Sequence, residues 1–122
     1  RCDSPVMLLY RVATCDTEVG GVPINEGELV GVAYGAANHD GSRFDCPHRF
    51  DPERGNARTH VAFGYGSHYC IGATLARIEA ELGVQTFLDR FGTIELSRID
   101  SPAYFPAPIT RTLSKLPLRV AH

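Results

Sequence analysis

Apolar and polar positions divide the chain into a strand-rich first third, an irregular middle and a helical segment. Residues 6–13 are almost entirely apolar and predict a buried strand. Gly20 and Gly21 separate two short apolar runs, which is typical of a β-hairpin. Pro23 predicts an edge strand, because proline cannot donate to a ladder, and residues 28–34 predict the next strand. We therefore expect a small antiparallel sheet.

Residues 38–59 show no apolar period and are rich in Asp, Arg, Pro and Gly. So long an irregular stretch is uncommon in a compact domain and is usually functional or disordered. Its aromatic residues Phe44 and Phe50 indicate that the segment packs against the rest of the chain.

Helical spacing of apolar residues returns after this segment and predicts one long helix up to Phe91. The spacing is carried by Ile71, Leu75, Ile78 and Leu82. Gly92 is expected to cap the C-terminal end of the helix. Residues 93–96 and 113–120 predict short strands, and a short helix is expected at residues 35–37.

Composition and charge narrow the class of protein. The 122 residues suit one domain, and 43% hydrophobic with 21% charged residues argue against disorder. A net charge of −2 gives no electrostatic reason to bind nucleic acid or an anionic membrane. No apolar run approaches the roughly 18 residues that span a bilayer. The chain begins at Arg1 without an initiator Met, so we expect a cut or processed start.

The four cysteines, at positions 2, 15, 46 and 70, include no C-x-x-C pair. A disulfide framework is therefore not expected, and reduced thiols in a cytoplasmic protein fit better. Three of the four cysteines are interpreted as small, semi-apolar residues without chemistry: Cys2, Cys15 and Cys46.

The remaining cysteine stands in the unusual run AFGYGSHYCIG, directly before the predicted helix. The N-terminal end of a helix carries partial positive charge and unpaired N–H groups, which would stabilise a Cys70 thiolate. Gly64, Gly66 and Gly72 allow tight turns and the close approach of a bulky group. The residues therefore favour an activated cysteine with space beside it.

Four other kinds of site could contain such a run, and each needs particular residues at particular positions. A zinc site needs about four ligands in paired spacings, which His68-x-Cys70 and Cys46-x-His48 do not provide. A phosphate loop needs Lys and then Ser or Thr after its second glycine, and this run contains no Lys. A Cys–His nucleophile with His60 or His68 as base remains open, as does a buried cysteine at a glycine-rich turn.

The longer run FGYGSHYCIGATLAR, residues 63–77, resembles the haem-binding signature of the cytochromes P-450. It matches F-G-x-G-x-H-x-C-x-G-x-x-L-A-R at every fixed position. Residues 37–40 resemble the family's A-N-R-D, with His39 in place of Arg, and residues 47–52 resemble its irregular meander. The hairpin at residues 20–27 and the closing segment 111–120 resemble those of soluble bacterial members.

The resemblance implies the C-terminal portion of a cytochrome P-450 haem domain, whose parent fold is mainly α with small β-sheets. This segment itself is expected to be α+β. Its expected parts are a β-sheet region at 1–35, a meander at 36–60, the Cys ligand loop at 61–72, a long helix at 72–91 and C-terminal strands at 93–122.

The implied cofactor is haem b, with Cys70 as the catalytic axial ligand of the iron. Such a thiolate pushes electron density onto iron and favours O–O cleavage. Phe63 resembles the aromatic residue that shields the sulfur, and His68 and Arg11 match residues that bind the haem propionates. The loop glycines complete the implied cofactor contacts: Gly64, Gly66 and Gly72.

Two apolar segments resemble those that touch the substrate. They are Val6, Met7, Leu8 and Leu9, over the distal haem face, and the turn at 105–109, which includes Ile109. Arg1 resembles the Arg of the structural E-x-x-R motif and Arg49 its meander partner. Arg77 and Arg58 are candidates for the surface that faces a redox partner.

The resemblance implies a monooxygenase that inserts one oxygen atom from O₂ into an apolar organic substrate, with electrons from a ferredoxin or similar carrier. The family's central helix, with its acid–alcohol pair, is not part of this sequence, so this chain alone is expected to be inactive. The alternative is a truncated product that binds haem weakly or is only a structural remnant. An uncovered helix face at Leu75, Ile78 and Leu82 predicts marginal stability or association into oligomers.

Overall fold

The computed structural model describes residues 1–121, which form two compact units. The first unit comprises Arg1–Ala62 together with Ala107–Arg111. The second comprises Phe63–Pro106 and the chain from Thr112 onward. No helix in the described part of the chain is both long and apolar enough to cross a membrane.

The first unit contains two separate two-stranded antiparallel sheets and a short helix. The elements are β1 (Leu9–Val12), β2 (Thr17–Val19), β3 (Val22–Ile24), β4 (Leu29–Val32) and α1 (Tyr34–Ala37). Strand β1 pairs with β4, and β2 pairs with β3. The strands thus form two ribbons rather than the single small sheet that their order along the chain suggested.

The hairpin between β2 and β3 is confirmed. Gly20 and Gly21 have φ of 59° and 81°, and positive φ at both central positions is what a type I′ turn requires. Val19 and Val22 face each other across this turn. Pro23 lies in β3, which has only one neighbouring strand, so the predicted edge position is also confirmed.

The prediction of a long buried strand at residues 6–13 is wrong in length and in burial. Only Leu9–Val12 is a strand, and its residues Tyr10 and Val12 are exposed. The side chains of β1 point to the two faces of a two-stranded sheet, and a face is buried only where another layer packs on it. The residues before β1 pair instead with the segment around Ile109.

The irregular segment is built from turns, with one 3₁₀ turn at Ala57–Thr59. The Asp40 carboxylate accepts hydrogen bonds from the Ser42 hydroxyl and N–H, which lowers the pKa of Asp40. The Asp40 carbonyl accepts the Phe44 N–H at 2.9 Å, and Phe44 is only 2% exposed. Phe44 therefore packs inward as expected, whereas the same expectation for Phe50 is wrong, since Phe50 is 78% exposed.

A buried amide, Asn38, connects three parts of the first unit. Its side chain donates to Ser4 Oγ at 2.8 Å and accepts the Val61 N–H at 2.8 Å. Its carbonyl accepts Arg1 Nη1 at 2.6 Å. Asn38 is fully buried, and buried polar groups without partners are costly. These bonds hold the start of the chain and the end of the irregular segment against α1.

The second unit consists of one long helix and two two-stranded antiparallel sheets. Its elements are α2 (Ala73–Arg90), β5 (Thr93–Leu96), β6 (Ala103–Tyr104), β7 (Leu113–Lys115) and β8 (Leu118–Ala121). Strand β5 pairs with β8, and β6 pairs with β7. The strand predicted at 93–96 is confirmed, whereas the one predicted at 113–120 divides before Pro117 into β7 and β8.

Helix α2 confirms the predicted long helix but not its glycine cap. The chain leaves the helix at Phe91 with an extended backbone, φ −124° and ψ 121°, and enters β5 two residues later. This direct passage into a strand replaces the left-handed end expected at Gly92. Leu75, Ile78 and Leu82 are exposed, as predicted for an uncovered face.

We predict that Asn38→Ala destabilises the first unit by about 2–3 kcal/mol, because Ser4 Oγ and the Val61 N–H lose their buried partner. Urea unfolding followed by circular dichroism measures this. Asn56→Ala is the matched control, since its amide makes one exposed hydrogen bond to the Arg43 carbonyl. Equal effects of the two substitutions would contradict the central role of Asn38.

Candidate functional site

The glycine-rich run forms a loop closed by one backbone hydrogen bond. The Cys70 N–H donates to the Phe63 carbonyl at 2.8 Å. Within the loop, Gly66–His68 forms a 3₁₀ turn, and the Tyr69 N–H donates to the Gly66 carbonyl at 3.0 Å. The cysteine is therefore presented by a backbone with defined geometry.

Two glycines of the loop are required by its conformation. Gly64 and Gly66 have φ of 78° and 67°, a region that residues with a Cβ rarely adopt. A Cβ at Gly64 would also lie 3.2 Å from the His68 carbonyl oxygen, whereas a Cβ at Gly66 would meet no atom within 4 Å. Gly64 is thus needed for both backbone conformation and space.

Cys70 is an exposed free cysteine at the start of α2. Its carbonyl accepts the Ala73 N–H at 3.2 Å, and Gly72 is the N-cap of the helix. A Cβ at Gly72 would lie 3.9 Å from Cys70 Sγ, so this glycine leaves open space beside the sulfur. The neighbouring Ile71 is fully exposed. The thiol is therefore exposed just before the start of α2.

Phe63 belongs to a cluster that the sequence did not reveal. The Arg77 guanidinium lies 4.6 Å from the centre of the Phe63 ring, and Arg77 Nη2 donates to the Tyr69 hydroxyl at 3.2 Å. The Phe63 and Tyr69 rings are 6.3 Å apart. The side chain of Arg77, in the first turns of α2, thus contacts the preceding loop. The only signal for this cluster is that all three residues belong to the signature run.

The two residues assigned to the haem propionates lie in different units. His68 is exposed at the end of the 3₁₀ turn, in the second unit. Arg11 is exposed on β1, in the first unit, and donates to the Tyr10 carbonyl at 2.9 Å. Their shared role therefore stays a prediction.

The two segments predicted to touch substrate are hydrogen-bonded to each other. The Met7 and Leu8 N–H groups both donate to the Ile109 carbonyl, at 2.8 and 3.4 Å. Val6 forms an antiparallel bridge with Thr110. The side chains of the four residues from Val6 to Leu9 are half-buried. The backbone of Ile109 is thus paired with the backbone of residues 6–9.

Arg1 contacts the meander through two of its residues. Its guanidinium lies 4.9 Å from the centre of the Phe44 ring, and its Nη2 donates to the Arg49 carbonyl at 3.3 Å. The contact thus reaches the backbone of Arg49. Asn38 takes part in the same cluster through its carbonyl, and its only signal in the sequence was the likeness of residues 37–40 to A-N-R-D.

The structure bears on the zinc interpretation of the loop and leaves the Cys–His interpretation, with His60 or His68 as base, open. Within residues 1–121, no group of three or more His, Cys, Asp or Glu side chains is placed to hold a metal ion. The His60 ring accepts the Ala62 N–H at 3.1 Å, and His60 belongs to the first unit while Cys70 belongs to the second.

Comparison with known proteins identifies the family. The cytochrome P450 family model matches residues 1–114, so the chain belongs to the cytochrome P450 family. Members of this family are haem-binding monooxygenases.

Individual relatives are bacterial. Cytochrome P450 107B1 of Saccharopolyspora erythraea is 45% identical over 121 residues, 98% of this chain and 30% of that protein. The biotin biosynthesis cytochrome P450 of Bacillus subtilis is 39% identical over 118 residues, 97% of this chain and 29% of that protein. Substrate-free cytochrome P450 CYP150A6 of Mycobacterium marinum matches with a TM-score of 0.95 and 38% identity, over 99% of this chain and 32% of that chain. The chain thus spans less than a third of the length of these relatives.

We predict that Gly64→Ala opens the loop more than Gly66→Ala does. Both substitutions place a Cβ at positive φ, at a cost of about 1–2 kcal/mol, but only the methyl group added at position 64 would also press on the His68 carbonyl. Hydrogen exchange of the Cys70 amide, which is protected by its bond to Phe63, measures the opening. Equal exchange rates in the two variants would show that the close contact at Gly64 does not matter.

Proposed function

We propose that this chain is the C-terminal, ligand-bearing portion of a bacterial-type cytochrome P450 monooxygenase, and that Cys70 binds the haem iron. The observation that carries the proposal is the exposed Cys70 thiol, held by a closed glycine loop at the start of α2. The family match over residues 1–114 supports the same assignment.

The residues around Cys70 fit a haem. A thiolate is a soft ligand of the kind that holds haem iron in this class of protein. The loop uses the backbone of Cys70 for its closure and leaves the side chain exposed. Tyr65 and Ile71 belong to the same run, and their exposed side chains add apolar surface to it. A large, flat, mostly apolar group suits such a surface.

Each residue of the loop has a distinct proposed role. Cys70 donates electron density through its sulfur, and the N-terminal end of α2 stabilises the negative charge of that sulfur. Phe63, held by Arg77, keeps the role that the resemblance gives it, the aromatic residue beside the ligand loop. His68 and Arg11 bind the propionates, and the haem, when bound, supplies the oxygen chemistry. The glycines Gly64, Gly66 and Gly72 allow the group to approach closely.

The proposed substrate is an apolar organic molecule. Val6, Met7, Leu8 and Leu9 supply one apolar edge of its pocket, and Ile109 is attached to that edge through its carbonyl. This pairing of two distant segments supports a shared surface, since both are apolar and both are tied by main-chain bonds.

A ferredoxin or similar carrier is proposed as the electron donor. Arg58 and Arg77 are the candidate contacts; both are exposed, and Arg77 also contacts Phe63 and Tyr69. The cytoplasmic location expected from the cysteines stays a prediction, as does oligomer formation through α2.

The alternative, a truncated chain without catalysis, is favoured by the exposed helix face at Leu75, Ile78 and Leu82. In the described part of the chain, only Phe44 and Ala73 are both apolar and buried. So small a core fits this alternative, in which the chain binds haem weakly or is only a structural remnant.

Haem titration of the purified chain, followed by absorbance, tests the proposal. We expect Cys70→Ala to weaken haem binding by more than about tenfold, because it removes the ligand itself. Cys15→Ala is the matched control, since Cys15 is also an exposed free cysteine. Equal affinities of the two variants would overturn the assignment of Cys70.

A further inference from the structure

Arg77 lies in the first turns of α2 and contacts the loop that precedes the helix. Helical side chains lean toward the N-terminal end of their helix, so an arginine at this position is directed toward the loop. Its guanidinium lies 4.6 Å from the centre of the Phe63 ring, and its Nη2 donates to the Tyr69 hydroxyl at 3.2 Å. One side chain of α2 thus contacts two residues of the loop.

These two residues stand at the two ends of the loop. Phe63 begins it and supplies the carbonyl that accepts the Cys70 N–H at 2.8 Å, and Tyr69 directly precedes Cys70. The Phe63 and Tyr69 rings are 6.3 Å apart. The contacts of Arg77 therefore join the same two ends of the loop as the backbone hydrogen bond does, but through side chains.

An arginine suits both contacts at once. Its planar guanidinium can lie over an aromatic face while the N–H groups at its edge donate hydrogen bonds, whereas the lysine ammonium is a compact charge on a flexible stem. The helix that carries Arg77 is itself tied to the loop, because the N–H of the buried Ala73 donates to the Cys70 carbonyl at 3.2 Å. The base of the Arg77 side chain is therefore fixed relative to Cys70.

We propose that Arg77 is a positioning residue of the cysteine loop, which keeps the loop closed and so slows the release of a haem bound to Cys70. The part that concerns haem rests on the proposed function, whereas loop closure does not. Opening of the loop separates the Cys70 N–H from the Phe63 carbonyl, so exchange of that amide reports on closure.

Hydrogen exchange of the Cys70 amide in the haem-free chain tests closure. We expect Arg77→Ala to raise the exchange rate about fivefold, because an exposed cation–π contact and a hydrogen bond are lost. Arg90→Ala is the matched control, since Arg90 is also an exposed arginine of α2 beside an aromatic ring, that of Phe91, but at the other end of the helix. Equal exchange rates in Arg77→Ala and the parent chain would overturn the proposal.

A double-mutant cycle separates this contact from a general loss of stability. We expect Tyr69→Phe, which removes only the hydroxyl, to raise the exchange rate about twofold and to have no effect in an Arg77→Ala background. The Val84 amide, in the middle of α2, should exchange at the parent's rate in both single variants. Additive effects of the two substitutions, or an equal rise at Val84, would show a general loss of stability and overturn the positioning role.

Haem release is followed by transfer of haem from the loaded chain to an excess of apomyoglobin, measured by absorbance. We expect Arg77→Ala to speed the transfer about fivefold, because release from the opened loop scales with the population of the open form. Arg90→Ala should leave the transfer rate unchanged.

The outcomes separate this inference from the proposed function. Faster exchange at Cys70 with an unchanged rate of haem transfer would overturn the role of Arg77 in retaining haem. If the parent chain takes up no haem, the proposed function fails, and the exchange rates still decide whether Arg77 keeps the loop closed.

Discussion

The hydrogen bond from the Cys70 N–H to the Phe63 carbonyl is the contact on which the candidate site depends. It closes the loop only because Gly64 and Gly66 adopt left-handed backbone conformations. Closure presents Cys70 directly before α2, with its side chain exposed. Backbone bonds thus position the cysteine, and its side chain is left for chemistry.

The first unit is organised by a different kind of contact, a buried amide. Asn38 bonds to Ser4, Val61 and Arg1, and so holds the ends of a long irregular segment where few apolar side chains are buried. The same unit fixes Met7 between Gly35 and the Ile109 carbonyl. Polar and main-chain bonds therefore stabilise this unit where its apolar core is small.

The sequence predicted local backbone features correctly, but it did not predict which side chains are buried. The hairpin at Gly20 and Gly21 and the long helix α2 follow from φ preference and apolar period, which are local properties. The exposure of β1 and of Phe50 depends on which other segments pack against them. The residue pattern of this chain does not show which segments those are. The helix end at Phe91 was missed because the following strand, rather than Gly92, sets the backbone there.

Cys70 was found through the signature run, whereas the Arg77–Tyr69 contact and the close packing of Gly35 on Met7 required coordinates. The most direct test of the account is the absorption spectrum of the haem-loaded chain after dithionite reduction and addition of CO. A strongly red-shifted Soret band, present in the parent chain and lost in Cys70→Ala, is the predicted result. A band at the position typical of histidine-ligated haem, unchanged in Cys70→Ala, would contradict the account.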